Sequence, residues 1–128
     1  GLGVVLEEVG RKLSASPLEA TVLTAATAIQ IGGNDQQKQD LLPTIAAGET
    51  LVSLALQEGP QHRPTHIETT ASTSGSGFES SGRKVMVLDA HVANTFIVVA
   101  RTSGCAAPLR VRIAARLPSL QPPSSPRA

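Results

Sequence analysis

The chain has 128 residues, enough for one ordinary domain with a packed core. It contains two Phe and no Trp or Tyr, so Ala, Val and Leu must fill that core. A single cysteine excludes an internal disulfide framework and favours a reducing, cytoplasmic location. No run is long and apolar enough to span a membrane, and the first residues lack the basic region of a signal peptide, so we predict no membrane association. The absence of an initiator Met suggests that the chain starts inside a longer protein.

The net charge of +1 hides two different compositions along the chain. Residues 1–104 carry seven basic and ten acidic side chains, whereas residues 105–128 carry four Arg and no acid. The second segment also holds five of the nine prolines, and it cannot repay its ordering entropy by burying apolar surface, so we expect disorder from about Pro118. The abrupt change suggests a junction, such as a reading-frame change or a truncated gene. Without aromatic residues the tail arginines make a weak nucleic-acid site, and we predict no nucleic-acid partner.

Two helices are predicted in the first thirty residues. Apolar residues recur about one turn apart from Val4 to Leu13, with acids early and bases late, in agreement with the helix dipole. Ser16 as N-cap, with Glu19 reaching back to it, predicts a second helix over residues 18–30. Because that helix is apolar on nearly every side, it needs neighbours all round, and we expect the isolated chain to associate or aggregate.

The next segment carries signals for a shorter helix. Asn34 with Gln37 predicts a second capping pair, followed by a helix over residues 35–42. Pro43 is expected to begin a separate turn, which Gly48 ends.

Short runs rich in Val, Ile, Leu and Thr follow, broken by Gly, Pro and Ser, as is typical of strands. These runs cover residues 51–56, 67–71, 84–88 and 95–100, with a hairpin turn at Gly75-Ser-Gly77. We therefore predict an α+β fold, in which N-terminal helices precede an antiparallel, barrel-like β-domain and a disordered C-terminal tail.

The residues at the strand ends resemble the middle domain of the acyl-CoA dehydrogenase family. The matching set is Ala55-Leu-Gln-Glu58, Gly82-Arg-Lys84, Asp89-Ala90 and Val98-Val-Ala-Arg101. In the family the corresponding pieces are an apolar-Thr-Glu-Pro turn, a Gly-x-Lys before a Trp-Ile-Thr-Asn strand, and a Val-x-Ala-Arg strand. Upstream, Gln37-Lys38, Leu42-Pro43 and Gly48-Glu49 resemble the end of the family's N-terminal helical domain. The resemblance implies a helical remnant at 1–50, part of the middle β-domain at 51–104, and a divergent strand with a tail at 105–128.

The resemblance implies FAD as cofactor, because in the family the first turn and the Trp-Ile-Thr-Asn strand hold the flavin. Here Gln57 and Glu58 take the Thr-Glu positions, His62 and Arg63 take those of a loop Gly-Ser, and Met86 and Leu88 take those of the Trp and the strand Thr. The implied cofactor-binding set is Leu56, Gln57, Arg63, Met86 and Leu88. The Gln57 amide can replace the Thr hydroxyl as a hydrogen-bond donor, and the Arg63 guanidinium suits a phosphate. The Met86 thioether can lie on a ring face, but the Leu88 side chain offers no hydrogen bond.

The implied reaction is α,β-dehydrogenation of an acyl-CoA thioester, with FAD accepting the hydride. The family's catalytic Glu belongs to a C-terminal helical domain outside the matched residues, so no catalytic residue can be named here and the fragment alone is expected to be inactive. The intact family member is expected to form a homo- or hetero-oligomer through its helical domains. The alternatives are a non-catalytic subunit or gene remnant that acts by association, and a small binding module with a basic arm.

Other candidate sites favour ordinary interpretations. His62 and His66 have a metal-ligand spacing only on a helix, and Pro60 and Pro64 argue against a helix there, so we predict no metal site. Cys105 has no paired His or basic helical context and is interpreted as an idle thiol.

Overall fold

The computed structural model describes residues 1–75 and 77–102, and the backbone of residues 110–114. The helices of this part are α1 (Leu2–Lys12), α2 (a π-helical segment, Glu19–Ala26, that continues as an α-helix, Thr27–Gly32) and α3 (Asp35–Ala46). The strands are β1 (Val52–Ala55), β2 (Thr70–Ser74), β3 (Gly77–Ser81), β4 (Thr95–Thr102) and β5 (Arg110–Ala114). The predicted α+β class is confirmed. The disorder predicted from Pro118 and the idle thiol of Cys105 both lie outside the described residues.

Strand β4 is the centre of the sheet. It pairs in parallel with β1 and β2 and antiparallel with β5, while β2 and β3 form an antiparallel hairpin. The registers place Val52 opposite Thr95, Thr70 opposite Arg101 and Phe96 opposite Ala114. The predicted hairpin turn is confirmed, and Gly75 at its start has a φ of +57°, which glycine adopts without strain.

The predicted antiparallel, barrel-like sheet is wrong in two respects. The sheet is mixed, because the long connection from β1 to β4 brings β4 back in the same direction, as a crossover does. It is also open, since β1 and β3 end the strand order β1-β4-β2-β3 and do not pair with each other among the described residues. A barrel would require such pairing, because closure removes both edges.

One predicted strand is absent and one observed strand was missed. Residues 84–88 form an irregular segment, because Met86 and Asp89 have φ values of +51° and +53°, which interrupt an extended backbone. The missed strand is β3, whose five residues are all exposed. A strand without a buried face has no apolar alternation by which a sequence could reveal it.

Helix α3 confirms one capping prediction, while Pro43 and the start of α2 each correct another prediction. Asn34 and Gln37 form the reciprocal capping box, at 2.8 and 3.0 Å. Pro43, however, lies inside α3 and does not start a separate turn. Pro43 has no N–H to donate to the carbonyl one turn before it, and the next residue, Thr44, donates its hydroxyl to the Leu41 carbonyl at 3.0 Å. The second correction concerns α2, which begins without any side-chain cap, so the capping box predicted from Ser16 is wrong.

The core lies where α2 and α3 cover β1 and β4. Its fully or nearly buried members are Ala25, Ala26, Ile29, Ile45, Val52 and Ile97. The buried Thr21 ties α2 to β1, because its hydroxyl donates to the Val52 carbonyl at 3.1 Å and accepts from the Val52 N–H at 3.2 Å. The opposite side of α2 remains uncovered, with Ile31 82% exposed, and α1 contributes no buried residue. None of the described helices is both long and apolar enough to cross a membrane.

Candidate functional site

A nearly buried carboxylate stands just after the end of β1. The Glu58 carboxylate accepts hydrogen bonds from the Lys84 ammonium at 2.7 Å and from the Thr69 hydroxyl at 2.5 Å. It also accepts from the backbone N–H groups of Glu68 and Thr69, at 2.5 and 2.9 Å. The side chain therefore joins the two ends of the loop 59–68 to the segment that follows β3.

The Glu58–Lys84 ion pair is largely shielded from water. The side chains of Glu58 and Lys84 are only 13% and 10% exposed. Partial burial alone would raise the pKa of Glu58, but the hydrogen bonds from Lys84, Thr69 and the two backbone N–H groups outweigh it and lower that pKa from 4.5 to about 2. Glu58 is therefore ionised at neutral pH and is a poor proton acceptor.

The glycine of the Gly-x-Lys motif is required by close packing against this cluster. A Cβ atom added to Gly82 would lie 2.4 Å from the Thr69 hydroxyl oxygen and 2.8 Å from its Cα, which is shorter than any normal contact. Thr69 and the loop closure by Glu58 were not predicted from the sequence. The sequence feature that came closest to predicting this cluster was the pair of opposite charges, Glu58 and Lys84, within the matched motifs.

The structure brings four of the five predicted cofactor-binding residues onto two neighbouring segments. The end of β1 and the irregular segment 84–88 run antiparallel to each other. The bonds that join them are Lys84 Nζ to the Leu56 carbonyl at 3.2 Å, the Val85 N–H to the Gln57 carbonyl at 2.8 Å, and the Ser53 hydroxyl to the Leu88 carbonyl at 2.5 Å. Leu56, Gln57, Met86 and Leu88 therefore belong to one continuous surface region.

We call the group of Met86, Leu88 and Gln57 the exposed patch; Met86 and Leu88 are exposed and Gln57 is half-buried. Met86 is 71% exposed and Leu88 is 49% exposed, which is unusual for large apolar side chains side by side. Their backbone N–H groups have no hydrogen-bond acceptor among the described residues. Val87, between them, instead lines a cavity of about 470 Å³ beneath the segment, together with Ala55, Phe96 and Val98. The patch thus offers apolar surface and free backbone donors to a ligand.

Arg63, the fifth predicted residue, lies apart from the exposed patch. It is exposed on the loop 59–68 and lines a second cavity, of about 230 Å³, with Pro60, Gln61, His66 and both Glu58 and Glu68. Its neighbour His62 connects the loop to the patch, because His62 Nδ1 lies 3.2 Å from the Gln57 side-chain oxygen. His66 instead contacts Glu68, at 3.3 Å. The described residues contain no group of three potential metal ligands.

Comparisons with known proteins point to one family. No protein-family profile matches the chain, and no curated protein matches its sequence. Among solved structures, the chain is similar to the G363A variant of the Tcur3481–Tcur3483 steroid ACAD, with 35% identity, a TM-score of 0.67 and coverage of 80% of this chain and 29% of that one. It is also similar to glutaryl-CoA dehydrogenase from Mycobacterium smegmatis, with 30% identity, a TM-score of 0.62 and coverage of 71% and 23%. The ChsE4–ChsE5 complex from Mycobacterium tuberculosis matches at 25% identity, a TM-score of 0.68 and coverage of 84% and 28%.

The solved structures that the chain resembles in fold are acyl-CoA dehydrogenases. In fold the chain matches part of an acyl-CoA dehydrogenase, as the resemblance of its strand-end motifs indicated. It spans between 23% and 29% of the length of these solved relatives, so it corresponds to one part of such an enzyme.

Proposed function

We propose that this chain is the flavin-holding part of an acyl-CoA dehydrogenase-like enzyme, which carries out α,β-dehydrogenation of an acyl-CoA thioester with FAD. The observation that carries the proposal is the exposed patch, where Gln57 and the two exposed apolar residues share one region. Solved relatives include an acyl-CoA dehydrogenase from Bacillus anthracis complexed with FAD, at 30% identity and a TM-score of 0.56. The single cysteine of the sequence supports a cytoplasmic location for this activity.

The residues of the patch fit a flavin ring in their chemistry. The polarizable thioether of Met86 can lie against a ring face, and the N–H groups of Met86 and Leu88 can donate to its polar edge. The Gln57 amide is a further donor, whereas Leu88 has no side-chain hydrogen bond to offer. Arg63 on the neighbouring loop is the group suited to a phosphate. When bound, FAD would supply the hydride acceptor of the reaction.

We assign the catalytic base to the C-terminal helical domain that the family resemblance implies, outside the described residues. Glu58 and Asp89 are the carboxylates that directly follow patch residues in the sequence, and Glu58 is ion-paired with Lys84 and has its pKa lowered to about 2. A general base works best with a pKa near the operating pH. Glu58 is therefore a structural anion, and the fragment alone should bind flavin without turning over acyl-CoA.

A titration of the full chain with FAD tests this proposal. We expect a flavin absorption band to co-elute with the protein and flavin fluorescence to change on binding. Met86→Trp should tighten binding by about twofold to tenfold, because aromatic stacking contributes about 0.5–1.5 kcal/mol beyond burial. Leu23→Trp, which adds the same ring to an exposed position on α2, is the matched control and should leave the affinity unchanged. Failure of a chain with native circular dichroism to take up FAD would contradict the proposal.

A second candidate function is association as a non-catalytic subunit. It is favoured by the uncovered apolar surface of the helices, where Val4 is 64% exposed, Val5 50% and Ile31 82%. The solved relatives also include a complex of two chains, ChsE4–ChsE5. An assembly of this kind would bury the apolar faces of α1 and α2 against the helices of a partner.

Analytical ultracentrifugation checks the association. We expect the chain to sediment above its monomer mass of 13.2 kDa, and Val5→Lys to shift it toward the monomer because a charge would lie in the contact. Arg11→Lys, which keeps the charge on the same helix, should have no such effect. A single monomer boundary for the unmodified chain would count against this function.

A further inference from the structure

Two residues that depart from the family pattern touch each other. Gln57 stands at the position of a Thr, and His62 stands at the position of a Gly, five residues later in the loop. The structure places His62 Nδ1 3.2 Å from the Gln57 side-chain oxygen. A glycine at position 62 has no side chain to make this contact. A Thr at position 57 has a short side chain that needs no second residue to orient its hydroxyl.

The contact determines which way the Gln57 amide faces. Because the Gln57 oxygen can only accept, the contact is a hydrogen bond in the His62 tautomer whose Nδ1 atom carries the proton and donates. The amide nitrogen of Gln57 then keeps both of its N–H groups, and neither has an acceptor among the described residues. A long side chain has several rotamers, and holding one of them in advance reduces the entropy that a ligand must overcome on binding.

The backbone around the pair is itself held in place. The Gln57 carbonyl accepts from the Val85 N–H at 2.8 Å, which fixes it beside Met86. The loop that carries His62 is closed by the Glu58 carboxylate, which binds the N–H groups of Glu68 and Thr69 at its far end. Gln57 therefore stands on anchored backbone, and the loop that carries His62 is held at its two ends.

We propose that His62 is a positioning residue that directs the Gln57 amide N–H groups toward the flavin ring. The Gln57–His62 pair thereby takes the place of the hydroxyl that the family pattern has at position 57. This inference rests on the proposed binding of FAD to the exposed patch. His62 acts through Gln57 and does not itself contact the ring.

A double-mutant cycle on FAD affinity tests the pair in the full chain. His62→Gly should weaken FAD binding by about twofold to tenfold, the range expected for one hydrogen bond. In a Gln57→Thr background the same change should have no effect, because the hydroxyl needs no second residue to orient it. His66→Gly is the matched control, since it adds the same flexibility to the same loop, and it should leave FAD affinity unchanged. Equal losses from His62→Gly in both backgrounds would overturn the inference.

A spectroscopic readout separates this inference from the proposed flavin binding. In the flavin-free chain, the side-chain amide signals of Gln57 in a ¹H–¹⁵N NMR spectrum should shift on His62→Gly and stay in place on His66→Gly. With FAD bound, the long-wavelength flavin band should move on His62→Gly, since a ring hydrogen bond is lost. Unchanged amide signals would overturn the pairing even if FAD binds. A folded wild-type chain that takes up no FAD would overturn both proposals, whatever the amide signals do.

Discussion

Glu58→Gln should lower the free energy of unfolding of this chain by about 3–5 kcal/mol at pH 7. The change leaves the ammonium of Lys84, whose side chain is only 10% exposed, without its counter-charge. Removing one member of a nearly buried ion pair costs this much because the remaining charge is neither hydrated nor paired. Since small domains are stable by only about 5–15 kcal/mol, the effect would be visible as a large shift in a urea unfolding curve followed by circular dichroism.

The matched control removes both charges. Glu58→Gln combined with Lys84→Met should recover most of the lost stability, because no uncompensated charge then remains in the site. If the double variant were as unstable as the single one, the packing of the loop 59–68 would be responsible and the ion pair would not.

The same carboxylate predicts a dependence of stability on pH. The pKa of Glu58 is about 2 in the folded chain and 4.5 in the unfolded chain. Its contribution to the free energy of unfolding is therefore complete above pH 4.5 and is lost as the pH falls toward 2. A lowering of this size corresponds to about 3 kcal/mol. The difference in unfolding free energy between the wild type and Glu58→Gln should therefore shrink through this window. A difference that stays constant down to pH 2 would contradict the assignment.

Ile29→Ala should lower the free energy of unfolding by about 2–5 kcal/mol, because it opens a cavity in the core. Ile29 lies on α2 and is 1% exposed. It packs against α3 and the sheet in the cluster that contains Val52 and Ile97. The matched control is Ile31→Ala, two residues further along the same helix, where the side chain is 82% exposed.

The two variants make the same chemical change in the same helix, so their helix propensities shift alike and burial is what separates them. Ile31→Ala should change stability by less than about 0.5 kcal/mol in a monomeric chain. A large loss from Ile31→Ala in urea unfolding would instead show that this side chain is covered, as the proposed association requires. Equally small losses of stability from Ile29→Ala and Ile31→Ala would contradict the position of the core.

Local patterns in the sequence predicted those elements that short stretches of chain decide. The capping box of Asn34 and Gln37 depends on residues three apart, and the apolar runs of β1 and β4 depend on side chains within one strand. The interior position of Pro43 was not predicted, because proline removes one helical hydrogen bond and is best tolerated in the first turn of a helix, whereas here it lies in the last turn of α3.

The candidate site likewise has a part that the sequence predicted and a part that only the fold revealed. The motifs located Leu56, Gln57, Met86 and Leu88 by resemblance, and the fold then placed them on two segments joined by backbone hydrogen bonds. The residues that hold the region together were not visible in advance. Glu58 meets Lys84 across 26 positions of sequence, and Thr69 meets Gly82 in a contact that admits no Cβ atom.

By itself, the sequence determined the α+β class, the family resemblance and the positions of most helices and strands, since caps, apolar periodicity and ordered motifs are properties of neighbouring residues. Only the tertiary structure decided that β4 runs parallel to β1, that the sheet stays open and that residues 84–88 turn away from an extended backbone. It also decided that His62 reaches Gln57. The physical reason is that strand direction, positive φ angles and contacts across a loop depend on residues far apart in the chain, whose approach no local pattern records.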